Sequence, residues 1–174
     1  MKVLETFDYK DYPIDGPIYK RPSVRAIIIQ DGHIGLIHSL KYDYYKFPGG
    51  GINDGETYRQ ALCREVKEEA GLLVNPDSIK EYGSVIRKEK GNADGTFIQY
   101  NFYYFCSCLK MRVNQNLDSY EKEELFNLEW VSPQKAIEIN KTHNHNSKET
   151  YKFCHMLQRD NFVLETLLKD NSIF

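Results

Sequence analysis

Three glutamates, Glu65, Glu68 and Glu69, lie within five residues of one another in the segment CREVKEEAG. In a helix, positions i, i+3 and i+4 share one face, so the three carboxylates must lie side by side. Like charges this close repel each other unless a cation lies among them, and carboxylate oxygens are the ligands that Mg²⁺ and Mn²⁺ prefer. The spacing predicts a divalent-metal site, and it predicts that Glu69→Gln keeps or raises stability when no metal is bound.

The glutamates belong to a longer pattern that starts within a run of three glycines. The stretch 50–72, GGINDGETYRQALCREVKEEAGL, resembles the complete Nudix box of the MutT-like hydrolases. All seven fixed positions of that box are present: Gly50, Glu56, Arg64, Glu65, Glu68, Glu69 and Gly71. So many fixed positions in register seldom arise by chance, and the surrounding strand patterns extend the resemblance over roughly residues 22–140.

The resemblance implies a fold and a reaction. The implied fold is α+β, a Nudix-type α/β/α sandwich with a central mixed β-sheet, the box helix on one side and the C-terminal helix packed on the domain. The implied reaction is hydrolysis of a nucleoside diphosphate linked to another group, by a water that Mg²⁺ or Mn²⁺ activates. The resemblance therefore predicts a pyrophosphohydrolase.

The resemblance also assigns roles to the box residues. Glu68 and Glu69 match the principal metal ligands, and Glu65 matches a position that is either a ligand or the base. Arg64 matches the arginine that orients these glutamates. The carbonyl of Gly50, or of the glycine before it, would complete the metal shell.

A further general base is expected downstream. Many Nudix enzymes supply an additional glutamate from a loop beyond the sheet, and DSYEKEELFNLEW offers Glu121, Glu123 and Glu124. We favour Glu124 and then Glu121, on the view that a flexible loop swings the carboxylate to the metal-bound water once substrate closes the site. The alternatives are that this acidic run is a solvated linker and that Glu65 is the base.

Substrate contacts are predicted from residue type alone. A polyanionic substrate needs local positive charge, which Arg25 offers, and the ring of Tyr45 could stack on a base. Gln99 and Asn101 lie two residues apart and so share one face of a strand, where their amides could form hydrogen bonds with the edge of a base. The sequence after the box, SVIRKEKG, lacks the proline or tyrosine that marks several Nudix subfamilies. We therefore expect a nucleoside triphosphate or a small nucleotide conjugate, with RNA decapping or a silent nucleotide sensor as alternatives.

The surrounding elements follow from local signals. Two β-branched runs flank Asp31-Gly32, which is typical of a hairpin. The box helix is predicted from Thr57 to Ala70, with Gly71 as its stop. Further predictions are strands at 80–90, 96–109 and 126–131, a helix opened by Ser132-Pro133, and a last helix starting near Asn146.

Length, composition and charge indicate the number of domains, the class of partner and the location. We expect one domain over residues 1–174, with an extended lead-in at 1–21 and a C-terminal helix at 146–170. A net charge of −2 does not favour non-specific electrostatic binding to DNA, and no apolar run predicts a membrane span. The acidic N-terminus favours a cytoplasmic protein. The last helix has a wide apolar face, which we expect to pack on its own domain, with a homodimer as the alternative.

Overall fold

The computed structural model describes residues 1–91, 94–142, 153–170 and 173. The strands among them are β1 (Val3–Asp8), β2 (Ile18–Ile27), β3 (Ile29–Gln30), β4 (His33–Ser39), β5 (Tyr44–Lys46), β6 (Leu72–Val74), β7 (Lys80–Lys90), β8 (Thr96–Phe105), β9 (Cys108–Arg112) and β10 (Phe126–Val131). The helices are α1 (Tyr58–Ala70), α2 (Ser119–Glu123), α3 (Pro133–Thr142) and α4 (Cys154–Leu168), with a 3-10 turn at Pro76–Ser78.

A mixed sheet forms the centre of the molecule. Its strand order is β1-β7-β8-β2, with β7 and β8 antiparallel and with β1 and β2 parallel to their neighbours. A second, antiparallel sheet has the order β10-β4-β3, and β5 pairs with β4. The predicted hairpin joins β3 to β4 through Asp31 and Gly32, both at positive φ, which is the backbone that such tight turns require.

Helix α1 lies on one side of this framework, between β2 and β10. The side chain of Thr57 caps its first turn in a reciprocal pair with Gln60, and Gly71 ends it in the left-handed conformation. Leu62 and Val66 are fully buried in a core cluster with strand residues such as Val24. The apolar stripe of α1 therefore docks on the sheets and leaves the neighbouring carboxylate face for chemistry.

Helices α3 and α4 cover the other side. They pack on each other, and α4 also contacts β5 and β7. Leu157 and Leu164 of α4 are buried, as are Val163 and Leu167. The wide apolar face of the last helix is thus covered by its own domain, and the predicted α/β/α arrangement is confirmed.

Three stretches differ in detail from the sequence predictions. Residues 1–21 include β1, which adds a parallel edge strand, and the first residues of β2. The long strand predicted at 96–109 breaks after Phe105, and the chain from Cys108 turns away to pair with β6. The predicted start of the last helix near Asn146 lies outside the described residues, and the helix is described from Cys154.

No helix among the described residues is both long enough and apolar enough to cross a membrane.

Candidate active site

The glycine loop is tied closely to β2. The backbone N–H of Val24 donates to the carbonyl of Gly50 at 2.9 Å, and that of Ala26 donates to the carbonyl of Pro48 at 2.8 Å. Gly49 has a φ of +136°, and a Cβ at this position would overlap the carbonyl oxygen of Val24. Glycine is therefore required here both for backbone conformation and for close approach.

Gly50 leaves room for a carboxylate of the box helix. A Cβ on Gly50 would lie 2.6 Å from Oε2 of Glu65, so the carboxylate would have to move to make room for a side chain. The Glu65 carboxylate therefore lies directly against the loop. Burial raises its pKa, although the charge of Arg64 opposes that effect.

Arg64 holds most of the box carboxylates together. Its Nε and Nη2 donate to the two oxygens of Glu56 at 2.7 and 2.8 Å, and its Nη1 donates to Glu65 at 2.7 Å and to Glu68 at 3.1 Å. Nη2 also donates to the carbonyl of Gly51 at 3.0 Å. The paired hydrogen bonds from Arg64 lower the pKa of Glu56 to about 2. One guanidinium thus fixes three acidic side chains and the loop.

Glu69 is held differently, in the interior. It is 1% exposed, and its Oε1 accepts from Nζ of Lys46 at 2.6 Å while its Oε2 accepts from the backbone N–H of Gly49 at 2.8 Å. The Lys46 ammonium also lies 4.4 Å from the ring centre of Phe126. The repulsion expected from neighbouring glutamates is therefore offset at Glu69 by a buried ion pair.

The acidic run after the sheet folds into the short helix α2, not into a loop. Asp118 caps it in a reciprocal pair with Glu121, whose Oε1 also accepts from the hydroxyl of Tyr120 at 3.0 Å. Burial raises the pKa of Glu121, and the adjacent carboxylate of Glu69 raises it further. This places Glu121 beside the box glutamate that lies deepest.

The other two glutamates of this run face different environments. Glu124 is buried, and its Oε2 accepts from the hydroxyl of Tyr44 at 2.6 Å. Glu123 is exposed and pairs with Lys41 at 2.7 Å. Only Glu121 and Glu124 are therefore turned toward the interior.

A cavity of about 280 Å³ opens on the glycine loop. Five of the side chains that line it are basic, namely Arg21, Arg25, Lys46, Arg87 and Arg159. Its remaining lining is Tyr44, Gly49, Gly50, Gln99, Tyr120, Glu124, Phe126, Phe153 and Met156. The cavity therefore concentrates positive charge beside the acidic box, in a chain whose net charge is only −2.

Three of the predicted substrate residues lie together here. Arg25 donates to the carbonyl of Gly49 and, at 3.4 Å, to Oδ1 of Asn101. Asn101 is fully buried behind Arg25, and Gln99 lines the cavity itself. Both amides also accept from Nη1 of Arg159, at 2.8 Å for Asn101 and 3.3 Å for Gln99.

Tyr45 is placed elsewhere. Successive side chains of a strand point to opposite faces, and in β5 it is Tyr44 and Lys46 that face the cavity. The ring of Tyr45 stacks on His38 at 4.2 Å, and its hydroxyl donates to Glu129 at 2.7 Å. The structure therefore does not bring Tyr45 together with the other predicted site residues.

The sequence predictions do not include Lys46, Arg87 or Arg159. Lys46 and Arg87 lie in strands whose registers cannot be inferred from local patterns. For Arg159 a signal existed, because the charged pair Arg159-Asp160 interrupts an apolar helix face, and charges are almost never fully buried unless paired.

The donor set suits a hard divalent cation, although the side chains are occupied by protein partners. In the described part of the chain, no three His, Cys, Asp or Glu side chains form a group that could hold a metal ion. Here Arg64 engages Glu65 and Glu68, and Lys46 engages Glu69. The fit rests on chemistry: the carboxylates of Glu65, Glu68 and Glu69 are hard oxygen donors, and Glu121 adds a fourth carboxylate beside Glu69 that a cation would stabilise.

Comparisons with known proteins agree with this arrangement. The RNA pyrophosphohydrolase of Acinetobacter baylyi is 39% identical over 72 residues, which are 41% of this chain and 40% of that relative. The RNA pyrophosphohydrolase of Stenotrophomonas maltophilia is 37% identical over 65 residues, 37% of this chain and 31% of that relative. The chain thus matches well under half the length of these curated relatives.

The fold has solved counterparts as well. A NUDIX hydrolase from Nitrosomonas europaea superposes with a TM-score of 0.56 at 19% identity, over 83% of this chain and 90% of that one. The model of the NUDIX domain matches residues 19–154, which is more than half of the chain. With the box residues gathered around one loop in the expected fold, this chain belongs to the Nudix family.

Proposed function

We propose that the protein is a divalent-metal-dependent pyrophosphohydrolase that cleaves the diphosphate linkage of a nucleoside diphosphate derivative. The preferred substrate is a nucleoside triphosphate or a small nucleotide conjugate. The observation that carries this proposal is the meeting of two unlike surfaces at Gly49 and Gly50. On one side lie the box glutamates, and on the other lies the basic cavity.

The acidic side is suited to hold Mg²⁺ or Mn²⁺. Glu65, Glu68 and Glu69 supply carboxylate oxygens, and the carbonyl of Gly50, which already accepts from Val24, has a second lone pair. When bound, the ion would neutralise charge on the diphosphate and lower the pKa of the attacking water. Arg64 orients the carboxylates of Glu65 and Glu68, and Lys46 with the backbone N–H of Gly49 orients that of Glu69.

The basic side is suited to hold phosphate oxygens. Arg21, Arg25 and Lys46 line the part of the cavity that includes the glycine loop. Guanidinium groups bind phosphate through paired, charge-assisted hydrogen bonds. These side chains would therefore position the diphosphate against the glutamates, and most of the catalytic effect of such a site is positioning and charge stabilisation.

In this proposal the general base comes from α2 or from the residue that follows it. Glu124 lines the cavity, and Glu121 lies against Glu69, so either carboxylate can accept a proton beside the box. Tyr44 orients Glu124, and the cap of α2 orients Glu121. Both side chains are fixed by these contacts in the described structure.

A second candidate is hydrolysis at the 5′ end of RNA. Curated relatives of this chain are named RNA pyrophosphohydrolase, and the cavity could take a 5′-triphosphate end as readily as a free nucleotide. The two candidates are separated by assaying ATP and GTP in parallel with a 5′-triphosphorylated RNA oligonucleotide. A higher kcat/KM for the oligonucleotide would favour the RNA enzyme.

Binding and turnover need separate tests. We expect Mg²⁺ or Mn²⁺ to raise Tm, and to raise it further with nucleotide, because ligands that bind only the folded state stabilise it. A nucleotide panel with Mg²⁺ then measures hydrolysis. A ligand that binds with metal and is never cleaved would favour a silent sensor, and the absence of any Tm shift or turnover would contradict the proposal.

A further inference from the structure

Three arginines from separate elements line the cavity close enough to one another for their charges to interact. They are Arg25 of β2, Arg87 of β7 and Arg159 of α4, and we call them the arginine cluster. Strand register explains part of this meeting, because Gln99 of β8 pairs with Arg21 on one side and with Arg87 on the other. Side chains at paired positions lie on the same face of a sheet. One face of the mixed sheet therefore presents a row of cations to α4.

The cluster is buried to an unusual degree. Arg25 is 7% exposed, the side chain of Arg87 is 11% exposed and that of Arg159 is 1% exposed. Burial lowers the pKa of Arg25, and the charge of Arg159 lowers it further. Burial and Arg159 likewise lower the pKa of Arg87 to about 10. The charge of Arg159 thus disfavours the charged forms of Arg25 and Arg87, whereas Asp160 and Tyr103 outweigh burial and raise the pKa of Arg159 itself.

Their partners within the described residues do not balance this charge. Arg159 donates to Asp160 at 2.8 Å, and Arg87 pairs with Glu89 at 3.0 Å. Arg25 is held by the carbonyl of Gly49 and the amide of Asn101, and it has no carboxylate partner in that part of the chain. Three cations therefore share two hydrogen-bonded carboxylates. The charges of Glu69 and Asp160 also act on Arg25, and Glu124 lines the same cavity.

Two donors of the cluster are also left without partners. Nη2 of Arg159 and Nε of Arg87 are buried and make no hydrogen bond in the described structure, and Oδ2 of Asp160 lacks a partner as well. A buried unpartnered donor costs roughly 1–3 kcal/mol, and more when it is charged. Both arginines line the cavity, and a bound anion that reaches these buried donors would satisfy them.

We propose that the arginine cluster is a subsite for a phosphate group of the substrate, additional to the diphosphate that is cleaved. The position of the cluster supports this, because Arg25 links the two regions by bonding to Gly49 on one side and sharing Asn101 with Arg159 on the other. A phosphate next to the cleaved linkage would enter here. The inference rests on the proposed function and selects triphosphates over diphosphate conjugates that lack a third phosphate.

A phosphate suits this subsite better than a carboxylate does. Its terminal oxygens can each accept from a different guanidinium, whereas a carboxylate has two oxygens. Nη1 of Arg159 donates to Gln99 and Asn101 of the sheet, and its Nε donates to Asp160, whose Oδ1 also accepts from the hydroxyl of Tyr103 at 3.0 Å. The donors are therefore preorganised before the anion arrives.

The first test uses sodium tripolyphosphate as the probe, in EDTA, so that no metal contributes. The variant is Arg87→Gln, which keeps the strand and removes one guanidinium. The matched control is Lys88→Gln, which removes one charge from the next residue of β7, where the side chain alternates to the other face. Tripolyphosphate should raise Tm of the wild type and of Lys88→Gln, and its Kd should rise about 10-fold or more in Arg87→Gln.

The second test separates the subsite from the reaction. Arg87→Gln should lower kcat/KM for ATP about 10-fold or more while leaving that for ADP-ribose, which has two phosphates, within about twofold. ATP and a 5′-triphosphorylated RNA oligonucleotide are also compared by Kd in EDTA. The ligand with the lower Kd identifies the source of the triphosphate. Weaker binding of that ligand by Arg87→Gln supports the subsite.

The outcomes are distinct. Equal tripolyphosphate binding by wild type, Arg87→Gln and Lys88→Gln would overturn the subsite, and so would a wild type that tripolyphosphate does not stabilise. If tripolyphosphate binds through Arg87 but no nucleotide is hydrolysed, the subsite stands and the proposed function fails. Because Arg159→Gln removes a fully buried group, it serves only as a second variant, after circular dichroism has shown that it folds.

Discussion

The substitution Glu69→Gln distinguishes two interpretations of the box glutamates, mutual repulsion and a buried ion pair. The spacing of the glutamates alone predicts relief of repulsion and an unchanged or higher stability without metal. In the structure, however, both oxygens of Glu69 accept hydrogen bonds, one from Lys46 and the other from Gly49. A glutamine has a single side-chain oxygen. Whichever way its amide is turned, its NH₂ group faces a donor.

The magnitude follows from burial. The side chains of Lys46 and Glu69 are 6% and 2% exposed, so the variant would leave a buried ammonium without a counter-charge. Removing one partner of such a pair costs about 3–5 kcal/mol. One remaining hydrogen bond reduces this, and we expect a loss of about 3 kcal/mol in unfolding free energy, or about 6–12 °C in Tm for a domain of this size.

Urea unfolding in EDTA measures this loss, with Glu68→Gln as the matched control. Glu68 is one-third exposed and shares Arg64 with Glu65, so its loss should cost about 1 kcal/mol or less. Adding Lys46→Met removes the stranded ammonium, and the double variant should lose about 2 kcal/mol less than the sum of the single losses. A Glu69→Gln protein as stable as the wild type would refute the stabilising role of the Lys46–Glu69 pair and would favour the interpretation based on carboxylate repulsion.

Three further predictions concern the residues around this pair. Arg64→Lys should lower the unfolding free energy by about 1–2 kcal/mol and depress turnover, because an ammonium cannot reproduce the paired bonds to Glu56, and urea unfolding with steady-state kinetics checks both. Because the pKa of Glu56 is depressed, its stabilising effect is fully present above the ordinary value of 4.5 and is lost as pH falls toward about 2. Between pH 6 and pH 3, the urea midpoint of the wild type should therefore drop more than that of Glu56→Gln. One of Glu121→Gln and Glu124→Gln should lower kcat about 100-fold or more with a smaller change in KM, while the exposed Glu123→Gln keeps the wild-type rate. Wild-type rates in both buried variants would move the base to Glu65.

Local signals were enough to predict the elements that carry the box. Thr57 and Gly71 mark the ends of α1 through capping and a left-handed stop, which depend only on neighbouring residues. The Asp31-Gly32 turn and strand β10 were predicted for the same reason. The acidic face of the box helix followed from helical periodicity, because the docking stripe and the carboxylates lie at fixed angles on one element.

The basic half of the site depends on non-local pairing. Arg25, Arg87 and Arg159 meet because β2 and β7 flank β8 and α4 packs across them, and no local pattern specifies that registration. The register of β5 likewise decides that Lys46 faces Glu69 while Tyr45 packs on the other side. The segment at Glu121 is a helix and not the predicted loop, because Asp118 and Glu121 form a capping box, a local signal that the sequence contains.

The most direct measurement is product analysis with ATP and GTP, for the wild type and Glu69→Gln, with Mg²⁺ and with EDTA. We predict that the wild type releases nucleoside monophosphate only when the divalent ion is present, and that Glu69→Gln is slower by about 100-fold or more. Turnover that is unaffected by EDTA, or a Glu69→Gln variant with wild-type rates, would contradict a metal-dependent pyrophosphohydrolase centred on the box glutamates.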